Sequence, residues 1–367
     1  PQVASMLKVT HVLEGNLRKS GNRIRVTVQL YKVADGSLAW GRNYDREMAG
    51  VFAVQEDVVR NLASELGLRP AGEQRAQKRH TANTEAYELY LKGRHYQQQQ
   101  TAEALTRSRE CFDQAIALDP RYALAYYGLA DYYWIHSFYA SVPPRELLIK
   151  GKAAALKALE LDELLAEAHA MLGIFRALLD LDWRGGEREF HQALELEPAS
   201  TVSRDRYATY FLPALGRLGE ALAEMNKVVE SDPLSAYYQH HLATVLILAR
   251  QFDRAIEVSR SVLPLDPGAW MPHMDLGLAH MYKREFKEAT EAFEKASPLS
   301  GYQPLATALL ALGYAGAGRR SDAQRFLRER EEASRTHYIS PYLDAMVYVE
   351  LGDKDRALEL LAKAVDD

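Results

Sequence analysis

The sequence predicts a mainly α protein: a helical solenoid of about eight helix pairs, preceded by a small α+β domain with a three-stranded antiparallel sheet. Three observations carry this. Ala221, Ala255, Ala289, Ala323 and Ala357 recur every 34 residues, and a fixed period in this range marks stacked helix pairs, each unable to bury its apolar face alone. Each alanine closely follows a turn, as at Leu215-Gly216-Arg217, Ala317-Gly318-Arg319 and Leu351-Gly352-Asp353, where a small residue lets two antiparallel helices cross closely. Far upstream, Ile24, Val26, Val28 and Leu30 alternate with Arg23, Arg25, Thr27 and Gln29, the period of a strand with one face on a core and one in water.

Taken in order, residues 1–8 read as the tail of a helix whose start is missing. The chain opens on Pro1 without an initiator methionine or a signal peptide, so the small domain is expected to be truncated at its N-terminus and the chain to be part of something longer. Strands are expected over 10–18, 22–30 and 37–44, joined by turns at Lys19-Ser20-Gly21-Asn22 and Asp35-Gly36, where glycine accepts the positive backbone angle of a tight hairpin. Val51, Phe52, Val54, Val58, Val59, Leu62 and Leu66 then mark one helical face, and Gly67 supplies the stop. The organisation expected is a domain at 1–68, a polar connector at 69–83 containing Pro70 and Gly72, and the helical array at 84–367.

Within the array, Gly93 and Tyr96 open the first pair and Phe112, Ala115 and Pro120 close it, with extra residues around 97–100. The second pair starts at Tyr126, Leu129, Ala130 and Tyr133, is interrupted around Ser141-Val142-Pro143-Pro144, and resumes over 147–161. His169, Leu172 and Gly173 open the third, and Phe190, Ala193 and Pro198 close it. From there the 34-residue register runs to the end.

These residues resemble the tetratricopeptide repeat family. With the five alanines as its small second-helix residue, the small first-helix residue falls on Thr209, Ala243, Gly277, Ala311 and Ala345, the large apolar one before it on Leu242, Leu276 and Leu310, and the closing proline on Pro233 and Pro267. The sequence departs from the pattern at Asp205, Gln239 and His273, where the family has tryptophan, and at Gly301, where it has proline. The resemblance implies a right-handed superhelix. Upstream, Val12-Leu13-Glu14-Gly15, the run 22–30, and Ala39-Trp40 through Tyr44-Asp45-Arg46 to Val54-Gln55-Glu56 are similar to a small bacterial module described as FlgO-like or TolB-N-like. That resemblance implies a place between repeats and a signalling head: a nucleotide cyclase, a winged-helix DNA-binding domain or a serine/threonine kinase.

Composition agrees with a water-exposed protein: no run approaches the ~18 apolar residues of a membrane span. Cys111 is the single cysteine, so no internal disulfide can form, and a buried or half-buried structural thiol is expected. Residues 1–80 hold 13 Lys and Arg against 8 Asp and Glu, leaving 32 against 42 in the rest, so surface character changes near residue 80. Arg18, Lys19, Arg23 and Arg25 gather on one hairpin without interleaved aromatics, which reads as a solvated edge and not as a nucleic-acid surface.

Gly313-Tyr314-Ala315-Gly316-Ala317-Gly318 follows no strand, so it is a helix end and repeat turn instead of a phosphate loop. Among eleven histidines, His240 and His241 point to different helical faces, and His273 and His280 lack the four-residue spacing of a helical zinc pair; surface or partner-contacting histidines are expected, with no metal and no cofactor. With neither nucleophile nor acid–base pair to name, this stretch is read as non-enzymatic, although a catalytic domain such as an adenylate or guanylate cyclase or a kinase can precede it.

The repeat resemblance places a partner-binding groove on the first helices. Carried over residue by residue, it comprises Tyr90 and Arg94, Tyr127 and Trp134, Arg206 and Tyr210, Tyr237 and His240, Met274 and Met281, and Tyr342 and Met346. These residue types dominate interface hot spots. The competing reading is that they pack between neighbouring first helices, and the sequence leaves the two open. The expected function is a protein-interaction or regulatory region of a bacterial signalling protein, binding a protein or peptide or its own upstream domain. Two alternatives stand beside it: a sensor of a peptide or small ligand that regulates an attached head, and an oligomerisation scaffold pairing through Leu358, Leu361 and Val365. The expected location is cytoplasmic, with the extracytoplasmic part of a membrane-anchored regulator as the alternative.

Overall fold

A computed structural model describes residues 9–21, 23–47, 54, 57–58, 61–62, 64–66, 81–138, 142–335 and 338–366. The expectations for residues 1–8, Asn22, Val51, Phe52, Val59, Gly67 and the connector 69–80 lie outside these. The chain divides into two compact units, Pro1–Thr84 and Glu85–Asp367.

In the first unit, β1 (His11–Ser20), β2 (Arg23–Lys32) and β3 (Leu38–Glu47) form an antiparallel sheet in the order β1-β2-β3. Gly21 (φ 56°) and Gly36 (φ 69°) take the left-handed angles the turns require. The alternation in β2 buries Ile24, Val28 and Leu30. Val28 packs with Tyr44 of β3 and with Val54, one of the described helical residues that follow the sheet. On the opposite face Asp45 holds Arg23 at 2.8 Å and Arg25 at 2.7 Å, so one carboxylate of the sheet is shared by two of the hairpin's four basic residues.

The second unit is helical: α1 (Thr84–Gln99), α2 (Ala102–Leu118), α3 (Ala123–His136), α4 (Pro144–Leu161), α5 (Ala166–Leu179), α6 (Trp183–Leu196), α7 (201–214), α8 (Leu218–Ser231), α9 (Ala236–Leu248), α10 (Phe252–Val262), α11 (Met271–Tyr282), α12 (Phe286–Leu299), α13 (Pro304–Gly316), α14 (Arg320–Ala333), α15 (Pro341–Leu351) and α16 (Lys354–Asp366). Among the described residues these make the eight expected pairs. Only α7 is irregular: a π-helical turn, Tyr207–Phe211, interrupts it, which the repeat pattern gave no reason to expect.

Close approach explains the small residues. Ala221, Ala255, Ala289 and Ala323 are fully buried and Ala357 is 2% exposed. A Cβ on Gly277 of α11 would meet the ring of Phe293 in α12 at 2.2 Å, and Phe112 is seated the same way against both Gly93 and Gly128. Gly173 and Gly186 bring α5 and α6 so near that a Cβ on either would meet the other's carbonyl oxygen, at 2.9 and 2.7 Å.

The turns inside the pairs obey one geometry with varied residues. Gly216, Gly318 and Gly352 carry φ of 73°, 74° and 81°, but Gln100, Leu181, Arg250 and Arg284 occupy the matching turns at 50°, 55°, 58° and 62°. A side chain in this region costs about 1–2 kcal/mol, which tertiary packing of the pairs offsets.

Candidate binding site on the first helices

The row of expected groove residues is divided by burial. Tyr90, Tyr127, Trp134, Arg206, His240 and Met274 are buried; Arg94, Tyr210, Tyr237, Met281 and Met346 are half-buried; Tyr342 is exposed at 53%. The buried members join neighbouring first helices to one another.

The centre of this packing is Arg206 on α7, 2% exposed. Its guanidinium donates to Asp131 of α3 at 2.7 Å, to the Tyr237 hydroxyl of α9 at 2.8 Å and to Asp205 at 3.4 Å. Asp205 in turn accepts from His241 Nδ1 at 2.6 Å. Since a carboxylate only accepts, His241 carries its proton on Nδ1, which leaves Nε2 to accept the Tyr210 hydroxyl at 3.2 Å. Arg94 of α1 donates to Tyr127 of α3 at 2.7 Å, and His240 meets Asp275 of α11 at 2.7 Å. Polar contacts therefore link α1 to α3, α3 to α7, α7 to α9 and α9 to α11. The edge of Trp134 stands against the Tyr210 ring at 5.1 Å, a geometry that favours aromatic pairs.

Burial sets the protonation. It raises the Tyr90 hydroxyl to about 12 and pushes Tyr127 and Tyr237 well above the ordinary tyrosine value, against the opposing pull of Arg94 and Arg206. It lowers His241 in spite of Asp205 and raises Asp275 in spite of His240. The buried phenols thus stay neutral, and Tyr127 and Tyr237 accept from the two arginines. They complete the network without adding charge.

The expectation of surface histidines is corrected. His240 and His241 are 8% and 1% exposed, and His280 is 8% exposed against Glu285; each imidazole finds a carboxylate, which makes its burial tolerable. Asp205, His241 and Asp275 were not among the expected site residues. A signal existed for the first: an acid where the repeat pattern has tryptophan. Among the described residues no three His, Cys, Asp or Glu side chains gather as a metal cluster, and no helix is long and apolar enough to cross a membrane.

Openings lie between these helices among the described residues. One, of about 560 Å³, lies between the end of α1 (His95, Gln98, Gln99), the start of α9 (Ser235, Ala236, Tyr237) and the α10–α11 connection (Leu265, Trp270, Met271). Another, of about 190 Å³, lies between Phe138 after α3, Leu305 of α13, and Ile339, Tyr342 and Leu343 at the start of α15.

No protein-family model matches the chain. It is 33% identical over 131 residues to "Putative adenylate cyclase 3" of Rhizobium meliloti (strain 1021), covering 35% of this chain and 22% of the relative. It is 29% identical over 148 residues to "Transcriptional regulator HilA" of Salmonella typhimurium, covering 40% and 26%. The matches thus span about a quarter of these relatives' length. Among solved structures, a monomeric IFIT1 mutant with Gppp-AAAA superposes with a TM-score of 0.54 at 15% identity, over 86% of this chain and 76% of that one; the human IFIT1 dimer with m7Gppp-AAAA gives 0.50, also at 15% identity, over 86% and 77%. Likeness at that identity concerns the fold alone. Joined to the 34-residue register and its buried small residues, it gives the helical unit of this chain the fold of a helix-pair solenoid, the architecture that the resemblance to tetratricopeptide repeats implies.

Proposed function

We propose that this chain is a non-catalytic interaction region of a larger bacterial signalling protein, and that it holds a polypeptide segment against the cleft at Tyr342. One observation carries the reading: Phe138 (43% exposed) and Tyr342 (53% exposed) flank an opening of about 190 Å³ floored by Leu305, Ile339 and Leu343. Two exposed aromatics over an aliphatic floor can seat a partner's side chains with little ordering of their own. Most of the remaining expected groove residues are occupied by their neighbours, so this end of the row is where a segment can dock without dismantling the array. The segment belongs to a partner or to an upstream domain of the same protein. The names of the cyclase and regulator relatives, of which this chain matches only a quarter, support such an attached head.

A photo-crosslinking residue at Tyr342 in the full-length protein tests this. The expected result is one adduct of defined mass, absent from a probe at the exposed Arg254 of α10 and lost when Phe138→Ser is added. Equal labelling from both positions would sink the reading.

A second reading rests on α16, where Leu358 and Val365 are 65% and 85% exposed on one face. Such a stripe favours pairing with another copy. A monomer by light scattering at high protein concentration removes it.

A further inference from the structure

The two arginines of the first-helix network differ in what they hold. Arg206 is committed to two carboxylates. Arg94 is not: its hydrogen bond goes to the neutral Tyr127 hydroxyl, whose ring lies 5.2 Å from the guanidinium, and among the described residues it makes no ion pair. Gln97, three residues further along α1 and only 2% exposed, has neither its amide nitrogen nor its amide oxygen in a hydrogen bond, and Nε of Arg206 is equally unpaired. Arg94, Gln97 and Arg206 line one pocket of about 10 Å³, room for a single water-sized group.

The chemistry of the wall selects the group. Arg94, Gln97 and Arg206 bring N–H donors to this wall, and the Gln97 amide and Arg206 Nε have no partner for theirs, so beside Asp131 and Asp205 the pocket can still hold an oxygen that accepts. Asp131 and Asp205 both pair with Arg206, which leaves Arg94 as the cation an anion can meet; with those two carboxylates nearby a monoanion is accepted at less cost than a dianion. Gln98 and Tyr237 line both this pocket and the cavity of about 560 Å³, whose wall adds Leu265, Trp270 and Met271. A volume of that size falls within the range of small-molecule sites.

We infer that Arg94 and Gln97 bind the carboxylate of a small organic acid, with its apolar body in the adjoining cavity beside Tyr237 and Trp270. The site shares no residue with the cleft at Tyr342, so it stands or falls separately from the polypeptide reading.

Benzoate and its neutral amide, benzamide, are the probes, titrated into the full chain and followed by calorimetry and by the Arg94 Nε–H resonance. Benzoate is expected to saturate at one per chain and to shift that resonance, with benzamide about tenfold weaker or worse, since the ion pair with Arg94 is replaced by a bond to a neutral oxygen. Arg94→Gln should lose about tenfold or more, Arg94→Lys less, and Tyr342→Glu nothing. Equal binding of acid and amide, undiminished binding by a folded Arg94→Gln variant, or no saturable response of the wild-type Arg94 resonance to benzoate each overturns the inference. The last needs no variant to fold.

Discussion

The side-chain amide of Gln303 donates to the backbone carbonyl of Gln100, joining two turns 203 residues apart in sequence. Both residues are buried, at 2% and 3% exposure, and Gln100 holds a left-handed φ of 50° while presenting that carbonyl. The turn between α1 and α2 is thereby fixed to the N-terminus of α13, so the first pair of the array touches the seventh.

Gln303→Ala removes that bond. A single hydrogen bond contributes about 1 kcal/mol net, so the melting temperature should move little, while amide exchange speeds up locally at the α1–α2 turn and the first turn of α13. Unchanged protection at both places would show that other contacts hold the two turns.

Arg206→Met should be far more damaging. It leaves Asp131 and Asp205, each 1% exposed, without the cation between them, and breaking a buried ion pair from one side costs about 3–5 kcal/mol. Adding Asp131→Asn should recover part of this, because the two positions share one interaction and their effects cannot add. Denaturant unfolding of the single and double variants measures both; a loss below about 1 kcal/mol for Arg206→Met would mean that water reaches the carboxylates.

The helix pairs were legible because their cause is local and periodic. Ala289 is small since a crossing helix lies on it, and the same crossing recurs every 34 residues; the strands of the first unit were legible for the same reason, with the pleat burying Ile24, Val28 and Leu30. The interior of the first-helix row was not. Arg206 and Asp131 are 75 residues apart, and no spacing rule connects them. His240 and His241 read as surface histidines because their carboxylates come from Asp275 and Asp205, about one repeat away in each direction. The turns fell between these cases: glycine announces three of them, whereas Gln100, Leu181, Arg250 and Arg284 adopt the same angle with no sequence sign.

Leu181 offers a direct check of that geometry. It is 73% exposed at φ 55°, so its side chain gains little from packing while its backbone occupies a region that favours glycine. Leu181→Gly should stabilise the protein, by up to about 1 kcal/mol, a figure reduced by glycine's greater freedom in the unfolded chain. Gly186→Ala should act in the opposite sense by about 1–3 kcal/mol, since its Cβ would press on the Gly173 carbonyl and neither backbone can yield. Thermal unfolding of the two variants should show shifts of opposite sign; two shifts of the same sign would contradict this account of the turns and crossings.

The histidines give the stability of the array a pH dependence with two opposed limbs. Burial lowers His241 below its ordinary value of about 6.5 despite the Asp205 carboxylate. The unfolded chain therefore binds a proton that the folded one refuses, and stability falls as pH drops below about 6.5 toward the folded value. His169 behaves in the reverse way. Burial would lower it, but the Glu189 carboxylate at 2.6 Å and the Glu163 carbonyl outweigh that and raise it, so its contribution is complete below about 6.5 and is lost as pH rises through the raised value. His241→Gln should flatten the acid limb while leaving the slope that His136 and His273, both also lowered by burial, still impose. Glu189→Gln should flatten the alkaline limb alone. Urea unfolding of the two variants across about pH 5 to 8 separates the limbs. An acid limb as steep in His241→Gln as in the parent would mean that His241 takes up its proton inside the fold, with Asp205 outweighing the burial.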